Sequence, residues 1–315
     1  MPRKAPTQSD PALTFIGHVS VDKIENINGT RTQPGGGALY AAIAAKTLNA
    51  QTALVSAIGK TFPFRKCFDR LNIRHVRTSH LPTTKFYIRC DKNWEANYIE
   101  ANEGAGAKIT ASQIPSSLLE VQDAVHIAPM KPAKVARIVD SIRKRSPQVE
   151  ISMSNWAGYI NTSRQRKNLL KLASQVDFFM LNEFEAKALA QTSYLPIALE
   201  RIRAKRLIIT MGKLGAIISG TDLDTSMMPA LSVPTEKIVD TTGAGDVWTG
   251  AFLATFKTTH DLMKSVNIAS IISSIKCSGW GFESIKKLSF LSPSDVVEYI
   301  VALREGSLQK KISDF

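Results

Sequence analysis

The chain has 315 residues, of which 44% are hydrophobic and 21% charged, and its formal net charge is +13. This length suits one large α/β domain or two ordinary ones, and this composition can bury a substantial core. No stretch reaches the roughly 18 to 20 apolar residues of a membrane-spanning helix, and the polar, basic N-terminus lacks the apolar segment of a secretory signal. We therefore expect a globular protein located in the cytoplasm.

The excess of basic residues favours anionic partners, among them nucleotides, phosphorylated metabolites and nucleic acid. The densest basic clusters, Arg143–Arg145 and Arg201–Arg206, end helical patterns and have no interleaved aromatic residues. We interpret them as solvated helix ends and expect no nucleic-acid partner. Cys67, Cys90 and Cys277 lie too far apart for a CxxC pair or a zinc site, so we expect them to be structural.

Short apolar runs rich in β-formers alternate with amphipathic helical patterns along most of the chain. The predicted strands are Leu13–Gly17, Thr52–Ala57, Ala124–Ile127, Val149–Met153, Phe178–Leu181, Leu207–Thr210 and Ala216–Ser219. Over Ala133–Arg145, apolar residues recur with helical spacing, which predicts one buried helical face. Apolar strands separated by helices indicate βαβ units around a mostly parallel sheet.

Two segments break this alternation, at about residues 23–33 and 83–101. Their apolar and polar residues alternate singly, which predicts short strands of a small antiparallel lid beside the main sheet. From Gly243 onward the pattern is almost wholly helical. Because the chain has no internal repeat or long linker, we predict a flexible tail over residues 1–12 and a single domain over residues 13–315.

The segment Val239–Asp246 reads Val-Asp-Thr-Thr-Gly-Ala-Gly-Asp and precedes an apolar run that predicts a helix. Gly243 and Gly245 let the backbone turn tightly, and the unpaired N–H groups at a helix start attract an anion such as a phosphoryl group. Asp246 falls in the first helical turn, where it can accept a proton from an attacking hydroxyl. A plain capped helix would explain a shorter match, but the full octapeptide favours a phosphoryl-transfer site.

This octapeptide resembles the C-terminal signature of the ribokinase-like, or PfkB, family of carbohydrate and nucleoside kinases. The resemblance implies that Asp246 is the catalytic base and that the backbone of Gly243, Ala244 and Gly245 forms the anion hole. It also implies a three-layer α/β/α sandwich with a mostly parallel central sheet and a small β lid. The implied reaction is in-line transfer of the terminal phosphate of ATP, bound with Mg²⁺, to a substrate hydroxyl.

A second resemblance to the family follows the first predicted strand. Gly17–Asp22 is similar to its Gly-x-x-x-x-Asp motif, which implies that Asp22 binds substrate hydroxyls. An ionised carboxylate suits this role because it accepts two hydrogen bonds from a vicinal diol. Without the resemblance, a cap at the end of a strand explains Asp22 equally well.

The glycine turn and alanine-rich segment Gly35–Ala45 is similar to the first signature of the family, which implies that Gly35, Gly36 and Tyr40 contact the substrate. Gly37 and Tyr40 stand where ribokinase itself has lysine and asparagine, and the Gly-Gly-Gly-Ala-x-Tyr form is closer to archaeal inositol-type kinases. We therefore expect a sugar or a polyol such as myo-inositol as acceptor. The alternatives are a nucleoside or a sugar phosphate, or a non-catalytic regulator that binds a ligand.

Asn182 and Glu185 are similar to the Asn-x-x-Glu motif of the family, which orders water around Mg²⁺. Their spacing places both side chains on one helical face, and oxygen ligands with retained water suit this ion. The same two residues also match a capping box, in which the asparagine and the glutamate satisfy each other's backbone N–H groups. Both roles are compatible.

Thr210–Gly215 resembles the family's Thr-x-Gly-x-x-Gly motif, which implies that Thr210, Gly212 and Gly215 line the nucleotide. Asn267 aligns with a position near the adenine. Without the resemblance to the family, Thr210–Gly215 would be interpreted as a β-turn and Asn267 as a solvated helix residue.

Asp240 and Thr242 lie where several members of the family bind a monovalent cation, which implies potassium as a further cofactor. Members of the family often pair through their lids, so the resemblance also implies a homodimer.

Overall fold

The computed structural model describes residues 10–221, 223–230 and 238–304. The predicted flexible tail lies outside the described residues as far as residue 9, and Ala12 already belongs to the first strand. Within the described part of the chain, every helix is too short or too polar to cross a membrane.

The strands in chain order are β1 (Ala12–Ile16), β2 (Ser20–Asn26), β3 (Gly29–Gly35), β4 (Gln51–Gly59), β5 (Asn72–Ser79), β6 (Thr84–Cys90), β7 (Ala96–Asn102), β8 (Ala124–Ile127), β9 (Glu150–Ser154), β10 (Phe178–Asn182), β11 (Leu207–Thr210), β12 (Ala216–Gly220) and β13 (Leu223–Met228). Nine of them form one sheet in the order β13-β12-β11-β10-β9-β8-β1-β4-β5. From β11 to β5 all neighbours are parallel, and only β12 and β13 pair antiparallel. The predicted, mostly parallel sheet is confirmed.

The helices are α1 (Gly37–Thr47), α2 (Ser116–Glu120), α3 (Pro132–Arg145), α4 (Ser163–Ala173), α5 (Glu183–Ala190), α6 (Leu195–Arg201), α7 (Ala244–Thr259), α8 (Leu262–Cys277), α9 (Glu283–Lys286) and α10 (Pro293–Arg304). Helix α3 begins at Pro132, whose missing N–H costs nothing in the first turn. It buries Val135, Ile138, Val139 and Ile142, the face that its spacing predicts.

The core lies on both faces of the large sheet, because successive strand residues point in opposite directions. Phe178 and Met180 belong to an apolar cluster with α1, α7 and α8. Phe179 and Leu181 belong to a second cluster with α3, α4 and α5. Helices therefore cover the sheet on both sides, which gives the predicted three-layer α/β/α sandwich.

A second sheet has the order β3-β2-β6-β7 and forms the lid. The prediction of a wholly antiparallel lid is wrong, because β2 and β6 are parallel neighbours and the sheet is therefore mixed. The turn between β2 and β3 binds the segment before α7: Asn26 Nδ2 donates to the Val239 carbonyl at 3.0 Å and Asn28 Nδ2 to the Ile238 carbonyl at 3.0 Å. The lid is thus attached to the segment that carries the octapeptide.

Two strands at the edges of the large sheet have no counterpart in the prediction. Strand β5 is exposed or half-buried along its length, and β13 is exposed over most of its length. Neither strand has the apolar run or the clean alternation that marks a buried strand. Each is recognised only by its hydrogen bonds to a neighbouring strand, β5 to β4 and β13 to β12.

Candidate active site

Two carboxyl groups from distant parts of the chain converge on the glycine turn between β3 and α1. A Cβ atom at Gly35 would lie 1.7 Å from Asp22 Oδ2, and one at Gly37 would lie 2.7 Å from Asp246 Oδ1. Only glycine leaves room for both carboxylates against this backbone. The structure therefore brings the predicted substrate-binding aspartate and the predicted base to one place.

Asp22 lies on β2 and is 3% exposed. Its Oδ1 atom has no hydrogen-bond partner among the described residues. Burial raises the pKa of Asp22 to about 7, and the negative charges of Asp240 and Asp246 add to the increase. A buried acceptor without a donor is costly, so this oxygen is suited to hydroxyl donors from a ligand.

Asp246 lies in the first turn of α7 and is partly buried. Its carboxyl group makes no hydrogen bond to a residue that the structure describes. Burial raises the pKa of Asp246 to about 7, although the positive charge of Lys276 acts to lower it. A carboxyl with this pKa can accept a proton near neutral pH, as a general base must.

The start of α7 has the geometry of an anion site. Gly243 precedes the helix in the left-handed conformation with φ of 77°, and a Cβ there would lie 2.8 Å from the ring of Tyr40. Backbone N–H groups of Gly245 and Asp246 have no acceptor within the described ranges. These free donors, together with the positive end of the helix dipole, favour a negatively charged group.

The resemblance predicts that Tyr40 contacts the substrate, and in the structure its ring lies in the protein interior. It is 1% exposed, lies against Gly243, and its hydroxyl oxygen accepts a hydrogen bond from Gln33 Nε2 at 3.3 Å. Tyr40 thus supports the turn before α7 from inside the protein. Gly36 is also buried, and a Cβ there would lie 2.2 Å from the His18 carbonyl oxygen, so this glycine allows α1 to start close to the chain after β1.

The predicted nucleotide-binding residues lie at the carboxyl edge of the large sheet and on α8. Thr210 ends β11 directly beside Asn182 of β10. Gly212 and Gly215 have φ of 55° and 113°, and a Cβ at Gly215 would lie 2.1 Å from the Met228 carbonyl oxygen. Asn267 is partly exposed on α8. Ligands of open parallel sheets bind at this edge, and nucleotide binding by these residues stays a prediction.

Asn182 and Glu185 form the capping box that their spacing predicts. Asn182 Oδ1 accepts from the Glu185 N–H at 2.8 Å, and Glu185 Oε2 accepts from the Asn182 N–H at 3.1 Å. Burial raises the pKa of Glu185 to about 8, and the negative charge of Asp246 adds to the increase. Glu185 is therefore close enough to Asp246 for their charges to interact.

Asp240 is completely buried, and nearby donors occupy its oxygens. Its Oδ1 accepts from the Thr242 N–H at 2.8 Å, and its Oδ2 accepts from Gln33 Nε2 at 2.9 Å. Its main-chain oxygen accepts from Lys276 Nζ at 2.6 Å. Burial acts to raise the pKa of Asp240, but Lys276 and these donors hold it below its ordinary value. The Thr242 hydroxyl has no partner in the described part of the chain.

An aromatic cluster beside Asp22 escapes prediction from the sequence. Phe86 pairs with Asp22 in the register of β2 and β6, so both side chains point to the same face of the lid. The ring centroids of Phe86 and Tyr98 are 5.8 Å apart, those of Tyr98 and Trp156 4.7 Å, and those of Trp156 and Tyr159 5.2 Å. Trp156 follows β9, so the cluster joins the lid to the large sheet and no single motif reveals it.

Comparison with known proteins agrees with this geometry. The family model described as pfkB family carbohydrate kinase matches residues 13–284. Cytidine kinase from Thermococcus kodakarensis is 28% identical over 281 residues, which cover 87% of this chain and 98% of that protein.

Solved structures share the fold. A nucleoside kinase from Burkholderia thailandensis in complex with inosine has a TM-score of 0.74 at 18% identity, over 92% of this chain and 95% of that one. A double mutant of fructokinase from Vibrio cholerae O395, with fructose, ADP and potassium ion bound, has a TM-score of 0.75 at 16% identity, over 93% of this chain and 99% of that one. The protein therefore belongs to the pfkB family of carbohydrate kinases and is an ATP-dependent phosphotransferase with an alcohol group as acceptor.

Proposed function

We propose that the acceptor of this kinase is a ribonucleoside, not a free sugar or a polyol such as myo-inositol. The aromatic cluster of Phe86, Tyr98, Trp156 and Tyr159 beside Asp22 carries the proposal. Two relatives, the cytidine kinase and the nucleoside kinase bound to inosine, support it by their names. The expectation of an inositol-type acceptor, drawn from the glycine turn, has less support than its nucleoside alternative.

The aromatic cluster offers flat surfaces to a flat ligand. Tyr98 is 41% exposed and Phe86 and Trp156 are partly exposed, so the cluster is accessible. Stacking of a base on an aromatic side chain contributes about 1–3 kcal/mol and tolerates different bases. A nucleobase has the flat π face that this surface suits, whereas myo-inositol has none.

The carboxylate of Asp22 is proposed to bind the ribose next to the base. Its unpaired Oδ1 accepts hydroxyl donors, and a carboxylate accepts both hydrogens of a vicinal diol. In a ribonucleoside that diol consists of the 2′- and 3′-hydroxyls. The 5′-hydroxyl then remains free to approach Asp246 on the other side of Gly35–Gly37, and we propose it as the phosphorylated group.

Asp246 takes the proton of the attacking hydroxyl as the new oxygen–phosphorus bond forms. The bond between the γ-phosphorus and the oxygen that bridges to the β-phosphorus breaks, and the electron pair leaves with ADP. Free N–H groups of Gly245 and Asp246 bind the transferring phosphoryl oxygens, where the added negative charge develops. Thr210, Gly212, Gly215 and Asn267 are proposed to hold the nucleotide at the sheet edge.

Asn182 and Glu185 are proposed to bind Mg²⁺ through water. The donor set fits, because this ion prefers carboxylate and amide oxygens and keeps several waters. Burial and the charge of Asp246 raise the pKa of the Glu185 carboxyl to about 8, and a nearby divalent cation would offset that increase. When bound, Mg²⁺ supplies positive charge against the phosphate oxygens of ATP.

Turnover of a substrate panel tests the acceptor. Purified protein with ATP and Mg²⁺ is offered cytidine, adenosine, inosine, ribose, fructose 6-phosphate and myo-inositol, and ADP release and the phosphorylated product are measured by coupled assay and mass spectrometry. We expect a 5′-phosphorylated nucleoside, with kcat/KM at least about 100-fold above that for ribose. A higher kcat/KM for ribose or myo-inositol than for every nucleoside would contradict the proposal.

A variant without the central aromatic ring isolates the stacking contribution. Trp156→Ala should lower kcat/KM for the nucleoside by about 5- to 150-fold, the equivalent of about 1–3 kcal/mol, and should leave the KM for ATP within about twofold. The matched control is Tyr194→Ala, which removes a ring that is 68% exposed and takes no part in the ring contacts of the cluster. Equal nucleoside kinetics for the two variants would remove the cluster from the acceptor site.

A further inference from the structure

We propose that the ammonium group of Lys276 is a built-in cation that holds Asp240 and the turn before α7, so that this kinase needs no potassium or other monovalent cation. The inference rests on the proposed kinase function and concerns how the same site is maintained. It departs from the resemblance, which implies a monovalent cation at Asp240 and Thr242, and from the fructokinase structure that has potassium ion bound.

The positively charged ammonium group of Lys276 lies directly beside Asp240. It lies in the last turn of α8 and is 0% exposed. Its Nζ donates to the main-chain oxygen of Asp240 at 2.6 Å and lies 3.5 Å from Asp240 Oδ2. The same atom is 5.7 Å from the ring centroid of Tyr40, within cation–π range. A buried ammonium in these contacts balances the charge of the buried Asp240 carboxylate.

The oxygens of Asp240 are unsuited to bind a further cation. Oδ1 accepts from the Thr242 N–H, and Oδ2 accepts from both Gln33 Nε2 and the Gly281 N–H at 3.0 Å. With the main-chain oxygen bonded to Lys276, each oxygen already has a donor. A metal ion here would share these oxygens with their present donors and lie next to a second positive charge in a buried setting, where like charges repel strongly.

Lys276 connects to the anion site through the backbone and through Tyr40. The carbonyl of Cys277, the next residue, accepts from the Val239 N–H at 2.8 Å. The end of α8 therefore binds both Val239 and Asp240, the two residues before the turn. Asp240 then fixes the Thr242 N–H directly before Gly243. Tyr40, which lies within range of the ammonium, packs against Gly243. Lys276 is therefore a positioning residue: it touches no substrate but determines where the N–H groups at the start of α7 lie.

The wild-type enzyme provides the first test. Turnover with the acceptor found in the substrate panel is measured in KCl, NaCl and choline chloride at equal ionic strength, after removal of ammonium and potassium by dialysis. We expect kcat to agree within about twofold in all three salts. Stimulation by potassium of more than about tenfold over choline would overturn the proposal.

A lysine variant provides the second test. Lys276→Met keeps most of the length of the side chain and removes its charge, and the matched control Lys264→Met removes an exposed lysine from the same helix. In choline chloride we expect kcat of Lys276→Met to fall by about 10- to 100-fold with the KM for ATP within about threefold, because the anion site is displaced. Ammonium or potassium should restore part of this kcat, and Lys264→Met should match wild type.

A folded Lys276→Met variant with wild-type kcat in choline overturns the proposal, and so does a loss of kcat that no monovalent cation reverses. Circular dichroism establishes whether the variant is folded, and if it is not, the salt comparison on the wild-type enzyme decides. The two proposals fail separately. Phosphorylation of a sugar instead of a nucleoside contradicts the acceptor alone, whereas nucleoside phosphorylation that requires potassium contradicts the built-in cation alone.

Discussion

At the scale of single residues, the site is organised by two carboxyl groups on one glycine turn. Asp22 and Asp246 both have pKa values raised to about 7 by burial, and each lies against a glycine that no other residue could replace without collision. Because the two negative charges also repel, their ionisations are coupled. This arrangement costs stability at high pH and leaves two carboxyl groups available for the proposed roles of base and diol acceptor.

Removal of the base should abolish most of the turnover. Asp246→Asn keeps the shape of the side chain but cannot accept the proton, so we expect kcat to fall by about 10²- to 10⁴-fold while the KM for ATP changes little. Steady-state kinetics with the best acceptor measure this effect. The matched control is Asp140→Asn on the exposed face of α3, which should stay within about twofold of wild type. Near-normal kcat for Asp246→Asn would refute its role as base.

The raised pKa values also set the pH dependence. Asp246 must be ionised to act, so kcat/KM should decrease as the pH falls below about 7, by about tenfold for each further pH unit. Folding stability should change in the opposite direction, because the folded-state pKa values of both carboxyls exceed their unfolded values and stability is lost as the pH rises through about 7. Profiles of kcat/KM and of Tm between about pH 5 and pH 9 measure both slopes; a kcat/KM that is flat across this range would contradict the assignment.

Several of these residues follow from the sequence and others do not. The octapeptide identifies Asp246 because glycines and aspartate at that spacing are rare outside an anion site. The resemblance predicts a substrate contact for Tyr40, and the structure buries its ring against Gly243; residue type alone does not reveal this burial. Lys276 lies in an apolar helix and pairs with a residue far earlier in the chain. Only the packing of α8 reveals this pair.

At the scale of elements, helix starts provide both stability and chemistry. The capping box at the start of α5 satisfies two backbone N–H groups and holds Glu185 near Asp246. Helix α4 begins with the same device, formed by Thr162 and Gln165. The two boxes are alike in backbone geometry, but only the one at α5 lies at the carboxyl edge beside Thr210. Equivalent substitutions in the two capping boxes therefore distinguish the loss of a helix cap from the loss of a metal ligand.

Asn182→Ala should lower the free energy of unfolding by about 1 kcal/mol, the usual cost of losing an N-cap. It should also raise the Mg²⁺ concentration needed for half-maximal turnover by about 10-fold or more. Denaturant titration and Mg²⁺-dependent kinetics measure the two effects. Thr162→Ala is the matched control and should lose similar stability with no change in Mg²⁺ requirement; the same requirement in both variants would leave Asn182 as a cap only.

The sequence predicts elements according to how they are buried. Strands covered on both faces, such as β8 and β11, have the bounds that their apolar runs predict. The edge strands β5 and β13 are polar and exposed, so their sequences resemble loops. The parallel pairing of β2 with β6 depends on a contact between distant segments, which alternation within each segment does not specify.

At the scale of the whole molecule, the proposed acceptor side and the proposed nucleotide side of the site belong to different sheets. The lid contributes Asp22 and part of the aromatic cluster, and the large sheet contributes Thr210 and Asn182 at its carboxyl edge. Helix α7 lies between them and presents Asp246 and its free N–H groups. The octapeptide that identifies the family lies at the start of α7, whereas the surfaces proposed to select the acceptor lie mostly on the lid and after β9. The family signature therefore does not specify the acceptor.

The hairpin of β2 and β3 links these two sides mechanically. Its strand β2 carries Asp22, its turn is bonded through Asn26 and Asn28 to the carbonyls of residues 238 and 239, and its Gln33 is bonded to Asp240. We therefore expect a displacement of Asp22 on ligand binding to reach the segment before α7, which carries the proposed phosphate site. Hydrolysis of ATP in the absence of an acceptor alcohol is therefore expected to be slow relative to phosphoryl transfer.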